Sequence, residues 1–340
     1  SKHAASWFKT HLHPCLYELT ETWELSDGVE VVELDEAVDL PVRCFLLKED
    51  EKRILVDTGY GETVPQLLSI LEKRNLSSII LTHLHIDHSG GALAVKKAKN
   101  IPIIYHKLEL ETLNQAVNLD KSIHRMFTDG SVDFLQEALH VLKVLPPPDL
   151  FAEDGMTMSM WRLMHTPGHT PGHIILVGEN HALTGDLILV KETSNVAYVP
   201  LPGYHPLRNY LESLVKVASL NVEMLVPSHG PLIKDPMPRV REIFSHHRER
   251  LRQAASALEK GRLSLREVAE EIRWSKGSFS SLTPLDKWLA LLETISHLDF
   301  LAETGYAISG NNLTYMLSNN PDWRNVEQKL TQLSNGIYRP

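Results

Sequence analysis

Cysteine is almost absent: only Cys15 and Cys44 occur in 340 residues. Two thiols cannot build a disulfide framework, so a hydrophobic core must hold the fold, and 43% apolar residues can supply one. Leu16 and Tyr17 follow the first thiol and Phe45-Leu46-Leu47 the second, which implies buried, reduced side chains without a catalytic or metal role. Long apolar runs are missing as well. None approaches the ~20 residues that cross a bilayer, and Ser1-Lys2-His3-Ala4-Ala5 lacks the apolar stretch of a secretory signal. The expectation is a soluble, cytoplasmic protein with no membrane partner. A basic excess is missing too: 34 Lys and Arg stand against 43 Asp and Glu, a net charge of −9. Non-specific attraction to nucleic acid needs the opposite balance. Fixed-period repeats and low-complexity segments are not seen.

What the chain has in quantity is histidine, 18 in all, concentrated at 83–88, 165–173 and 229. The surrounding pattern is layered α/β. VEVVE at 29–33, VRCFLL at 42–47 and RILVD at 53–57 read as strands, the last two joined by a charged turn. VPQLLSILEKRNL has apolar positions at helical spacing. SSIILTH is then a buried strand that ends at the first histidine. GALAVKKAK is helical and IPIIYH extended. Residues 108–145 read as a mostly helical excursion, with Met126, Phe127, Phe134, Leu135 and Leu139 forming its own core or the substrate mouth. PPPDLFAEDG returns the chain. Strands follow at 160–165, 173–178, 182–184 and 187–190, then a helix at 207–219 and a strand running into His229.

THLHIDHSGG at 82–91 is the central signal. His83 and His85 are two apart on an extended segment, so they share a side. Asp87 and His88 lie on the turn that follows, where Ser89-Gly90-Gly91 lets the backbone bend. Four donors in six residues can serve two adjacent cations. Imidazole and carboxylate together suit zinc, with iron and manganese as alternatives. HTPGHTPGH at 165–173 presents His169 between Pro-Gly turns, LTGDLIL places Asp186 after a strand, and LVPSHGP places His229 after another. A lone histidine is more often a satisfied core residue than a ligand; four motifs in one order, each at a strand end, argue for the ligand set. His165 and His173 are expected to be supporting or structural residues.

These motifs resemble the metallo-β-lactamase superfamily over about residues 28–235. Its HxHxDH motif falls on His83, His85, Asp87 and His88, its later histidine on His169, its bridging aspartate on Asp186 and its final histidine on His229. Asp57-Thr58-Gly59 matches the family feature whose Asp orients the HxHxDH loop. The resemblance implies an αββα sandwich, with one metal held by His83, His85 and His169 and a second by Asp87, His88 and His229. Asp186 would bridge them. It implies a hydroxide between two divalent ions, aimed by Asp87, that attacks a small ester, thioester or lactone. Asp186 stands where true β-lactamases commonly carry cysteine, which brings the chain nearer the glyoxalase II, lactonase and RNA-processing branches. Tyr204 and His205, in LPGYHPLRN, are candidate substrate contacts.

Composition changes near 236, and two domains are expected: 1–240 catalytic and 241–340 mainly helical. A long helix from 240, helices at 264–273 and 284–303 and a β-wing at 305–317 resemble a winged helix, as in the β-lactamase-like protein 2 branch. Residues 241–340 carry 13 Lys and Arg against 12 Asp and Glu. Arg262, Arg266, Arg273 and Lys276 are interrupted by Glu267, Glu270 and Glu271, which favours packing or a homodimer over nucleic-acid contact. Trp274 and Trp288 are read as core or interface. The alternatives to a small-substrate hydrolase are a phosphodiesterase or endoribonuclease acting on RNA, and a metal-bearing sensor.

Overall fold

The computed structural model describes residues 21–34, 41–61, 63–114 and 145–338. Cys15 and the five apolar residues of the 108–145 excursion named above lie outside them. Strands β1 (Glu21–Leu25), β2 (Val29–Leu34), β3 (Val42–Glu49), β4 (Lys52–Val56), β5 (Leu76–Ile80), β6 (Ile103–His106) and β7 (Leu150–Ala152) form a seven-stranded sheet in sequence order. A five-stranded sheet has the order β12 (Met224–Pro227), β11 (His181–Gly185), β10 (Ile174–Val177), β9 (Trp161–His165), β8 (Thr157–Met158).

Period-two alternation explains why the sheets stack. On β3, Phe45 and Leu47 join a buried cluster with Trp161, Leu163, Ile174 and Leu176 of the second sheet. Val42, Cys44 and Leu46 face the other way, onto Leu67 and Leu71 of helix α1 (Thr63–Leu71) and a helix described below. On β10, Ile174 and Leu176 face inward while Ile175 and Val177 join the outer cluster with Leu211 and Leu214. The result is helix, sheet, sheet, helix, as expected.

Short α2 (Ile86–Ser89) and α3 (Ala92–Lys99) follow β5, with Ala92 and Val95 packed on the first sheet. Helix α4 (Pro206–Ala218) lies on the second sheet. Then come α5 (Pro236–Leu258), β13 (Leu263–Ser264), α6 (Leu265–Glu271), α7 (Pro284–Glu303), the hairpin β14 (Ala307–Ser309) and β15 (Thr314–Leu317), and α8 (Trp323–Leu333). Strands β13, β15 and β14 make a third sheet. One buried cluster runs from Ile175 through α4 to Leu301 and Tyr338, so the C-terminal helices share their core with the outer face of the second sheet. Trp274 is buried, and Trp288 packs partly buried against that core. No helix among the described residues is long and apolar enough to cross a membrane.

The structure corrects one element. LILV at 187–190 is not a strand. Gly185 takes a left-handed φ of 51° and Leu187 N–H donates to Thr184 O (3.1 Å), so the chain turns as β11 ends. Leu187 and Ile188 are buried by packing on helices, which a hydrophobic run alone cannot distinguish from a strand.

Gly168 is where α4 meets the 165–173 loop. Its φ is 145°, and a Cβ there would stand 2.3 Å from Tyr210 Cα. Gly168→Ala is expected to cost about 3 kcal/mol, combining steric overlap with backbone strain. Urea unfolding measures it; a wild-type midpoint would contradict this close packing.

Candidate metal centre

The donors converge at the open end of the sandwich, where β5, β11 and β12 stop. Asp57, just past β4, organises the approach. Its backbone is left-handed (φ 59°) and its N–H continues the ladder to Ile80 O (2.9 Å). The fully buried carboxylate accepts three hydrogen bonds, from Thr82 N–H, Thr82 Oγ1 and His88 Nδ1, each 2.8 Å. Thr58 N–H and Oγ1 both donate to His88 O (2.7 and 2.9 Å). A Cβ at Gly91 would lie 2.4 Å from Thr58 O, so only glycine lets the loop close here.

These contacts set which ring nitrogen faces the centre. Thr82 Oγ1 gives its proton to Asp57, so it accepts from His83 Nδ1 (3.1 Å). His88 Nδ1 donates to Asp57, His169 Nδ1 to Asn195 O (3.0 Å) and His229 Nδ1 to Pro41 O (3.1 Å). In all four rings Nε2 is the nitrogen turned to the interior, the arrangement that supporting oxygens impose on metal-binding imidazoles, and His229 Nε2 lies 3.1 Å from Asp87 Oδ2. His85 instead turns Nδ1 inward, 3.0 Å from His169 Nε2.

All seven residues singled out in the sequence come together, in two groups. His83, His85, His169 and Asp186 offer donor atoms that lie within 4.8 Å of one another; so do Asp87, His88, Asp186 and His229. Asp186 belongs to both. It stands 3.5 Å from His88 Nε2 and 3.6 Å from His229 Nε2 through Oδ1, and 3.8 Å from His169 Nε2 through Oδ2. His83 Nε2, His88 Nε2 and Asp186 Oδ1 are buried without a hydrogen bond. Three such atoms in one place are unfavourable unless a cation takes their lone pairs, so the cluster fits a metal site.

Charge reinforces this. Burial works against the charged form of Asp87 and Asp186, yet His88 and His229 hold both carboxyls below the ordinary range. Burial and neighbouring imidazoles push His83 well below its usual value, and burial lowers His169, so both are neutral donors at neutral pH. His88 and His229 go the other way: burial lowers them, but Asp87 and Asp186 raise both.

Residues 37–229 match the family model described as the metallo-beta-lactamase superfamily. The chain belongs to this superfamily. It is 28% identical over 218 residues to a beta-lactamase-like protein 2 homolog of Drosophila melanogaster, covering 62% of this chain and 65% of that protein. It is 31% identical over 225 residues to the lactamase-like protein aptB of Emericella nidulans (64% of this chain, 60% of that protein). It is 27% identical over 222 residues to an atrochrysone carboxyl ACP thioesterase of Aspergillus fumigatus (63% and 59%). The chain thus spans just under two thirds of the length of these curated relatives. Among solved structures, a beta-lactamase domain protein from Burkholderia ambifaria shares the fold at 22% identity, with a TM-score of 0.74 over 90% of this chain and 98% of its own. A metallo-beta-lactamase family protein from Thermus thermophilus does so at 23% identity, with a TM-score of 0.69 over 85% and 98%. Coverage of 90% extends beyond 37–229, so the fold likeness includes C-terminal helices.

Within this superfamily member, the two remaining histidines of the 165–173 loop hold the backbone. His173 donates from Nδ1 to Thr166 Oγ1 (2.9 Å) and accepts Asp186 N–H at Nε2 (3.3 Å). His165 donates to Pro171 O (2.9 Å) and stacks on His106. Tyr204 OH donates to Gly168 O (3.1 Å), beside His169, whereas His205 Nδ1 faces Asp299 on α7 (2.9 Å). Glu109 escaped sequence reasoning. It is 2% exposed and accepts from Leu84 N–H (2.9 Å) and Gly172 N–H (2.7 Å), tying the two histidine loops together. A single Glu between leucines in a helical pattern carries no signal of that role.

Asp57→Ala leaves three donors without their acceptor and Glu109→Ala leaves two, so losses of about 3 and about 2 kcal/mol are expected at ~1 kcal/mol per bond. Chemical denaturation measures both. Unchanged midpoints would contradict these residues as anchors of the loops.

Proposed function

We propose that this protein is a hydrolase that uses two divalent ions, zinc first and iron or manganese as alternatives, to cleave a small ester, thioester or lactone. The observation that carries this reading is the pair of four-donor groups sharing Asp186. His83, His85 and His169 would hold one ion and Asp87, His88 and His229 the other, with Asp186 between them. Two such ions supply Lewis acidity, lowering the pKa of water toward ~7 and polarising a carbonyl oxygen. Asp87 is only half-buried, and its carboxylate stays ionised beside His88 and His229, so it would accept a hydrogen bond from the nucleophile and aim it. Tyr204 is held protonated by burial and by Glu109; its one hydroxyl proton goes to Gly168 O, so it would steady the loop that carries His169 and offer substrate only an oxygen lone pair. His205, taken up by Asp299, supports α4. Thioesters come first among substrates because one relative is named a thioesterase.

Residues 241–340 are read as a winged-helix-like unit, supported by three helices followed by the β14–β15 hairpin. Its cations are largely taken by carboxylates, Arg266 by Glu270 (3.0 Å) and Arg248 by Glu327 (2.6 Å), which supports packing over nucleic-acid contact.

Elemental analysis of dialysed protein should find two ions per chain at neutral pH, as two four-donor groups require. One ion per chain, with metal in excess, would contradict the dinuclear reading.

A substrate panel tests the reaction itself: thioesters, lactones, phosphodiesters and short RNA on metal-loaded protein. Thioester turnover that Asp186→Ala reduces at least ~100-fold is the expected result, the scale typical of losing an electrostatic catalytic group. Turnover of RNA alone would move the endoribonuclease reading to first place.

A further inference from the structure

A cavity of about 600 Å³ touches both the donor set and the C-terminal helices. His169 and Asp186 line it, and so do Arg250 of α5, Trp274 beyond α6 and Glu293 of α7. Leu189, Leu282 and Leu289 give it apolar wall.

Arg250 is the distinctive group. It is 7% exposed, ion-paired with Glu293, and its guanidinium lies 4.4 Å from the Trp274 ring centroid. Trp274 is itself fixed by donating to Ala269 O (2.9 Å). The second Glu293 oxygen accepts from Asn195 Nδ2 (2.9 Å), and Asn195 O accepts from His169 Nδ1 (3.0 Å). A chain of polar contacts therefore runs from Arg250 to the metal centre. Despite this clamping, Arg250 Nε is buried without a hydrogen-bond partner, as is Nε2 of His246, which also lines the cavity. Buried donors left unpaired are destabilising until an acceptor reaches them.

The cavity offers little surplus positive charge. Glu293 neutralises Arg250, Asp286 faces Lys276 (3.0 Å), and Arg239 lies against Glu242 (3.0 Å) and the Leu189 and Glu192 carbonyls. Lys191 and Glu192 stand together on the exposed rim. Burial, and then Arg250, push His246 down to about 4, so it is neutral. An anionic ligand would have to compete with carboxylates already in place, whereas an uncharged carbonyl need displace nothing.

We propose that this cavity receives the non-reacting arm of the substrate, and that the arm is uncharged, largely apolar and carries an amide-type carbonyl for Arg250. The inference rests on the thioester reading above and names the class of thiol it would take.

Isothermal calorimetry on the metal-loaded full chain tests it with two unreactive thioethers, S-methylpantetheine (uncharged, two amides) and S-methylglutathione (two amides, net anionic). The expected result is at least about tenfold tighter binding of the first. Arg250→Lys keeps a cation for Glu293 but lacks the Nε–H, and should weaken that binding about fivefold, measured at a temperature where circular dichroism shows the variant folded. Equal or tighter binding of the anionic ether overturns the proposal, and this comparison in the wild-type chain needs no variant to fold. Thioester turnover without the preference overturns the cavity assignment alone. The preference without thioester turnover supports the cavity and overturns the choice of thioesters as the substrate.

Discussion

The buried Asp57 carboxylate is the constraint on which the rest of the centre depends. It sits in a left-handed residue where β4 ends, and its three donors come from the segment that carries His83 and His88. A carboxylate with no exposure is tolerated only when such donors meet it. In return it fixes the His88 ring directly and the His83 ring through Thr82. Without that anchor, His83 and His88 could each turn either nitrogen inward, and the set would lose its preorganisation.

Several imidazoles and three carboxylates share one volume, buried at His83, His88 and Asp186 and open to solvent at His85 and Asp87. Opposite charges partly compensate, but the two groups are not equivalent. The first has three imidazoles and one carboxylate, the second two imidazoles and two carboxylates. The carboxylate-rich group raises its histidines, whereas burial lowers those of the first. Asp186 belongs to both, and its position is itself held from behind, by His173 at the backbone N–H and by the Ser194 hydroxyl at the carbonyl.

Much of this was legible in the sequence because strand ends and turn residues are local signals. The alternation of β3 and β10, the glycines after His88 and the Pro-Gly turns around His169 each announce their geometry, and the seven donors converge as the strand-end motifs and the family resemblance implied. What was illegible is non-local. Glu109 matters only because Leu84 and Gly172 lie beside it in space, and nothing in KLELETL says so. LILV at 187–190 has the composition of a strand, but its burial comes from helices that pack over it. The Arg250, Glu293 and Asn195 relay joins three segments far apart in sequence. Trp274 has the signature of a core residue; it is also the platform beneath Arg250.

The central claim is that Asp186 holds two ions close enough to act on one water, ~3.5–4 Å apart. Electron paramagnetic resonance of manganese-loaded protein tests it directly. The account predicts the multiline spectrum of an exchange-coupled pair, replaced by uncoupled or single-ion signals in Asp186→Ala. Two magnetically independent ions in the wild-type chain, or the coupled spectrum retained in Asp186→Ala, would contradict it.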